Sequence, residues 1–118
     1  MEQSEFLEKN IFTDLKNLNK GDDKETVQHF SESDFETVLQ RIEYFGIGVY
    51  AIESWENGES VAVATHEDFK KKATDSKWYQ KAFFTSKSRQ SGLSYSATYK
   101  VSNKLLAKNS TSDEGEES

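Results

Sequence analysis

The amino-acid sequence predicts one small α+β domain, in which an antiparallel sheet of about four strands packs its helices on one face. The chain has 118 residues, enough for one hydrophobic core and too few for two domains. Helical and strand periodicities alternate along it in β-α-β-β-α-β order, and an Asn-Gly pair joins two of the strand-like runs. Helices interspersed with an antiparallel hairpin are typical of this fold class.

Composition divides the chain into three segments. Residues 1–24 predict an N-terminal helix and polar linker, residues 25–107 the α+β core, and residues 108–118 a disordered acidic tail. The N-terminal helix is predicted over residues 2–18. There the apolar residues recur on one helical stripe, formed by Leu7, Ile11, Leu15 and Leu18.

The core opens with a predicted short strand over residues 25–30, followed by a helix. Ser31 occupies the N-cap position of that helix, and Phe30 and Phe35 occupy the two positions of a hydrophobic staple. Gly46 fits the C-terminal cap, where the backbone commonly turns left-handed. The sequence therefore predicts a helix between Ser31 and Gly46.

A β-hairpin is predicted next. Residues 47–55 form the most apolar strand, which favours a central place in the sheet. One familiar strand arrangement for this element order would instead put that strand at an edge, so the sequence leaves the strand order open. An Asn-Gly turn at residues 57–58 closes the hairpin, and a two-residue loop would place Ile52 opposite Val63.

A helix and a strand complete the core. The helix is predicted to begin near Asp75 and to bury one face, formed by Trp78, Tyr79, Ala82, Phe83 and Ser86. Residues 93–101 then alternate strictly between apolar and polar side chains. That alternation predicts an antiparallel strand with one face in solvent.

Composition also excludes several classes of function. The chain has no cysteine, which excludes disulfides, thiolate nucleophiles, zinc fingers and iron–sulfur clusters. No apolar stretch approaches the ~20 residues of a membrane helix, and residues 1–5 lack the pattern of a signal peptide, so we expect a cytoplasmic protein without a membrane partner. No glycine-rich phosphate loop or Gly-x-Ser-x-Gly elbow is present, so we expect no enzyme and no cofactor.

The charges are unevenly distributed. The net charge is −6, but residues 1–65 carry 14 acidic and 5 basic side chains, whereas residues 66–108 carry 3 acidic and 10 basic ones. Solvent-exposed helix faces whose net charges differ in sign by chance would give such a pattern. A dipolar molecule would instead dock its acidic half on a basic partner, or its basic half on an anion.

The leading hypothesis is a non-catalytic module that binds another protein, favouring a basic one, in an adaptor, inhibitor or immunity-type role. Carboxylates would steer the partner, and aromatic side chains with polar tips would anchor it. The candidate binding residues are Glu53, Trp55, Glu56, Glu59, Tyr95 and Tyr99.

Two alternatives remain open. The first is nucleic-acid or phosphate binding through the lysine-rich helix over residues 69–89, where basic side chains surround Trp78 and Tyr79 in a mixture typical of base-stacking surfaces. Its candidate residues are Lys70, Lys71, Lys72, Lys77, Lys81, Lys87 and Arg89. The second is a metal-dependent enzyme that uses His66 with Glu67 or Asp68, since imidazole and carboxylate both bind divalent metals.

Overall fold

The computed structural model describes residues 2–18 and 28–111, with side chains up to residue 107. It is an α+β fold with four strands and four α-helices in these ranges, which confirms the predicted class. The elements in chain order are α1 (Gln3–Asn10), β1 (Phe30–Ser31), α2 (Glu32–Phe45), β2 (Gly48–Glu56), β3 (Glu59–Thr65), a short 3-10 helix (Glu67–Phe69), α3 (Ser76–Arg89), β4 (Ser94–Lys100) and α4 (Asn103–Thr111).

The strands lie in the order β1-β4-β2-β3, and every neighbouring pair is antiparallel. The apolar strand β2 therefore lies inside the sheet, as its composition favoured, and the arrangement that would put it at an edge is wrong. Among the described strands, β3 and β1 form the two edges. Because β1 spans only two residues, β3 is the long edge of the sheet.

Helices α2 and α3 pack on one face of the sheet around the ring of Tyr95. Phe35 from α2 stacks on that ring with centroids 5.4 Å apart, and Phe83 from α3 meets it edge-on at 4.9 Å. Each aromatic side chain buries far more surface than an aliphatic one. The core therefore depends on aromatic residues, in a chain whose apolar fraction is only 34%.

The predicted helix caps are present. The Ser31 hydroxyl accepts the Asp34 N–H at 3.2 Å, and Gly46 ends α2 in the left-handed region with φ of 70°. At the start of α3, the Asp75 carboxylate accepts the Lys77 N–H at 2.9 Å. Each bond satisfies a backbone donor that the first helical turn leaves without an intrahelical acceptor.

The N-terminal helix is shorter than predicted. It ends at Asn10, and the chain then turns through Asp14, whose φ is 69°. Phe12, which follows the end of this helix, lies against Phe30 with ring centroids 5.0 Å apart. Of the predicted strand over residues 25–30, residues 28–30 are described, and among these only Phe30 is in β1. Residues 19–27, which hold the predicted linker, lie outside the described part of the chain.

A further helix spans the boundary that the sequence predicts at residue 108. Helix α4 begins after Ser102, whose hydroxyl accepts the Leu105 N–H at 3.2 Å, and it continues to Thr111. Residues 108–111, the first part of the tail predicted over residues 108–118, lie within this helix. Leu105 and Leu106 lie partly buried against the core, which gives α4 a reason to form. Residues 112–118 lie outside the described ranges.

Candidate protein-binding surface on the β2–β3 hairpin

The hairpin turns at Asn57 and Gly58 as predicted, but its register differs by one residue. Ile52 lies opposite Ala64 rather than Val63, because the pairing shifts between Ser54 and Trp55. A bulge of this kind adds one residue to one strand and moves the partners beyond it. Val63 consequently lies opposite Glu53, on the face of the sheet away from α2 and α3.

Strand β3 exposes apolar side chains along the sheet edge. Val61 is 47% exposed and Val63 is 55% exposed, and the intervening Ala62 is exposed as well. Natural proteins usually protect an edge strand with lysine, proline, an inward charge or a covering element. Positions 61–64 of β3 read Val-Ala-Val-Ala, and no strand in the described ranges pairs with this edge.

The backbone of β3 is unpaired at the centre of this edge. The His66 N–H donates to the Tyr50 carbonyl of β2 at 3.2 Å. Because the N–H and C=O groups of successive residues point to alternate edges of a strand, those of Ala64 and Ala62 also point to β2. The N–H groups of Thr65 and Val63 then point away from β2. Asp68 Oδ2 accepts the outward Thr65 N–H at 3.0 Å, whereas Val63 keeps an outward N–H and C=O at the open edge.

An apolar cleft of about 410 Å³ lies beneath this edge, on the side of the sheet that faces α3. Ala62 and Ala64 face the cleft, since they lie opposite Ser54 and Ile52, which the helices cover. Two small alanines leave space that larger side chains would fill. The polar rim of the cleft on α3 includes Thr85, Ser86, Arg89 and Gln90. The remaining apolar side chains that line the cleft are Ile52, Val61, Val63, Phe69, Ala82 and Leu93.

On the other face of the sheet, Trp55 is half-buried against its neighbours. Its ring stacks on His29 with centroids 4.5 Å apart, and its Nε1–H donates to the Ser96 hydroxyl at 2.9 Å. The contact helps to bury Ser96, which is 3% exposed. Burial lowers the pKa of His29 below its ordinary value, and the nearby Glu53 carboxylate partly opposes that shift.

The three predicted hairpin glutamates lie along this surface. Glu53 is half-buried beside Val63, and its carboxylate accepts the Ser60 hydroxyl. Glu56 and Glu59 are exposed and face each other next to the turn. The structure thus brings four of the six predicted binding residues, Trp55 included, to one hairpin.

The other two predicted binding residues are in the core. Tyr95 is fully buried and Tyr99 is 8% exposed, so neither side chain reaches the surface. Burial raises the pKa of both phenols. The Tyr95 hydroxyl contacts the Ser86 hydroxyl at 3.3 Å, whereas the buried Tyr99 hydroxyl has no hydrogen-bonding partner among the described residues. The aromatic face of β4 packs under α2 and α3 at Tyr95, and Phe12 lies against Tyr99.

The two aromatic residues predicted to stack on bases, Trp78 and Tyr79, are not available among the basic residues of the alternative site. Trp78 and Tyr79 are each 1% exposed and belong to the core. Lys87 lies 3.9 Å from the Glu36 carboxylate and over the Phe83 ring. Arg89 lines the cleft beneath β3, and the other five lysines of the set are exposed at residues 70–72, 77 and 81.

His66 and Asp68 have structural contacts in the turn after β3. His66 Nδ1 lies 2.8 Å from the Lys71 carbonyl, and the Asp68 carboxylate holds the Thr65 N–H. Within residues 2–18 and 28–111, no group of three or more histidine, aspartate or glutamate side chains is arranged to hold a metal ion. In the same ranges, no helix is long and apolar enough to cross a membrane.

Sequence reasoning missed Val61 and Val63, the apolar residues of the edge. Their signal was present in the sequence as a β-branched run without a charge between Ser60 and Thr65. Compared with protein-family models, curated proteins and solved structures, the chain matches none of them.

Proposed function

We propose that this protein is a non-catalytic protein-binding module and that its binding surface is the β2–β3 hairpin. One observation carries the proposal: β3 presents Val61 and Val63 on an open sheet edge, above an apolar cleft of about 410 Å³. An exposed apolar edge with unpaired backbone groups is a template for association with another chain. Contiguous apolar surface rimmed by polar residues is typical of interaction sites.

The acidic residues of the hairpin support a basic partner. Glu56 and Glu59 are exposed at the end of the hairpin, and Glu53 lies beside the apolar edge. Rim charges of one sign mainly increase the association rate and make it depend on salt. The hairpin would therefore attract a basic surface, and the apolar edge would then hold it. Adaptor, inhibitor and immunity-type roles are all forms of this function.

Capture from lysate of the source, with nuclease present and across a salt series, tests the proposal. We compare the wild type with two double variants that raise the net charge equally: Glu56→Lys with Glu59→Lys in the hairpin, and Glu36→Lys with Glu67→Lys elsewhere. We expect one stoichiometric protein partner whose association rate falls about tenfold in the hairpin variant. The control variant should stay within about twofold of wild type.

Equal binding by the wild type and both variants would remove the hairpin from the proposal. Loss of the captured partner on nuclease treatment would contradict protein binding itself. Circular dichroism and melting temperature establish that each variant is folded before its binding is compared.

A second candidate function is nucleic-acid binding on the outer face of α3, and one observation favours it. Phe84 is 63% exposed and lines a groove of about 680 Å³ together with Lys77 and Lys81. An exposed ring among lysines is suited to stacking on a base. However, Glu36 and Glu43 line the same groove, and carboxylates repel a polyanion.

Binding of single-stranded RNA at low salt tests this candidate. Affinity should fall steeply with salt and should fall further in a Lys77→Glu, Lys81→Glu variant, because each lost phosphate contact lowers counterion release. Absence of binding at low salt would end this hypothesis.

A further inference from the structure

We infer that the free edge of β3 accepts an extended segment of the partner as a fifth strand, and that this segment alternates apolar and basic residues. The inference rests on the proposed function and specifies how the hairpin binds. Three features of the hairpin carry it: the orientation of the β3 backbone, the cleft on one face and the Glu53 carboxylate on the other.

The backbone of β3 supplies the first argument. Val63 points its N–H and C=O away from β2, and the Asp68 carboxylate already occupies the next outward N–H, that of Thr65. An added strand would therefore pair with the middle and the turn end of β3, and Asp68 would mark the end of the pairing. Strand addition uses such main-chain bonds for affinity and alternate side-chain positions for specificity.

The cleft determines the side chains on one face of the added strand. Side chains that point to the α3 side would enter the space left by Ala62 and Ala64, against Ala82 and Leu93. A basic group there would meet Arg89 on the rim of the cleft. The segment therefore needs apolar residues at these alternate positions.

The other face favours basic residues. Side chains that point there would lie beside Val63, with the Glu53 carboxylate across it. Lysine and arginine have long apolar stems that can cover a valine while the charged end reaches a carboxylate. A strand reverses the side of successive residues, so one short segment can satisfy both faces.

Charge complementarity favours a basic segment over a second copy of this chain. Self-pairing through β3 would bring together two molecules of net charge −6, along with their acidic hairpins. It would also leave Glu53 and Glu59 without a basic neighbour. An extended basic segment neutralises this edge instead.

Titration of a labelled peptide against the full chain tests the inference. The probe is a nine-residue peptide of alternating valine and lysine, and its control has the same composition with the valines contiguous. We expect the alternating peptide to bind at least about tenfold more tightly than the control, since only it matches both faces. A peptide of alternating valine and glutamate should not bind.

Variants of β3 separate backbone pairing from charge attraction. Val63→Pro removes the outward N–H, whereas Val63→Thr keeps both this N–H and the β-branch. We expect the proline variant to lose at least about tenfold in peptide affinity and the threonine variant to stay within about threefold. If Val63→Pro fails to fold, the double variant Val61→Lys with Val63→Lys keeps the backbone intact and should repel the basic peptide to a similar extent.

Three results with the peptides and the free chain would overturn the inference. They are equal binding of the alternating and contiguous peptides, unchanged peptide binding in Val63→Pro (or in the double lysine variant if the proline variant does not fold), or a dimer of the free chain whose contact involves β3. A captured partner that ignores the β3 variants but is lost with the Glu56, Glu59 reversal would overturn strand addition alone. That outcome would leave the hairpin proposal standing.

Discussion

The two tyrosines of β4 show how one residue type takes different roles in the same core. The Tyr95 hydroxyl contacts the Ser86 hydroxyl, whereas the Tyr99 hydroxyl is buried without a partner among the described residues. A buried polar group without a hydrogen bond costs about 1–3 kcal/mol. Alternation along β4 placed both tyrosines on one face, but a tyrosine suits a core and an interface equally. Only the packing of the helices distinguishes the two.

We predict that Tyr99→Phe stabilises the fold by about 1 kcal/mol, because it removes the unpaired hydroxyl and keeps the ring. Tyr95→Phe is the matched variant and should not stabilise, since it removes a hydroxyl that has a partner. Chemical denaturation of the three proteins measures both effects. A loss of stability in Tyr99→Phe as large as that in Tyr95→Phe would contradict this account of the buried hydroxyl.

His29 makes the contact with Trp55 sensitive to pH. Burial holds the pKa of His29 below its ordinary value of 6.5, and Glu53 raises it only in part. The folded state therefore binds a proton at His29 less readily than the unfolded state does. The resulting stabilisation is present above pH 6.5 and is lost as the pH falls below that value.

We predict that the melting temperature of the wild type falls more between about pH 7.5 and pH 5.5 than that of His29→Gln, in which this group does not titrate. His66 is present in both proteins, so the difference isolates His29. The indole N–H signal of Trp55 in an NMR spectrum should shift over the same range. Parallel melting curves for the two proteins would contradict the burial of His29 against Trp55.

At the scale of elements, features set by neighbouring residues were predictable from the sequence, and features set by distant residues were not. Helix α2 begins after Ser31 and ends before Gly46 as predicted, because a helix cap depends on a few neighbouring residues. The hairpin register differed by one residue because the shift near Ser54 depends on pairing with the partner strand. Helix α4 was missed, although Ser102 followed by Leu105 and Leu106 is a cap followed by an apolar pair.

Two proline variants test the orientation of β3. Val63→Pro should cost about 1 kcal/mol or less, because the N–H that it removes points to the open edge. Ala64→Pro should cost about 3 kcal/mol or more, because it removes an N–H that bonds to β2. Denaturant titration measures both free energies of unfolding. Equal costs would contradict the register, and the reverse order would shift it by one residue.

At the scale of the whole molecule, class and element order were predictable, but the strand order was not. The apolar composition of β2 correctly favoured a central place in the sheet. No pattern in the sequence identified β3 as the long edge, because an edge is a property of the assembled sheet. The candidate site followed the same division. The sequence predicted that Glu56 and Glu59 lie on the hairpin and are candidates for binding. It did not predict the apolar edge and the cleft, which are visible only in the folded structure.

The proposed binding surface depends on one property of the molecule, the open edge of β3. Amide hydrogen exchange in the free protein tests it most directly, by comparing neighbouring residues of one strand. We predict that the Val63 N–H exchanges at least about a hundredfold faster than the Ala64 N–H, because only the second is bonded within the sheet. Equal protection of the two amides would mean that the edge is already covered, and it would contradict the proposed binding surface.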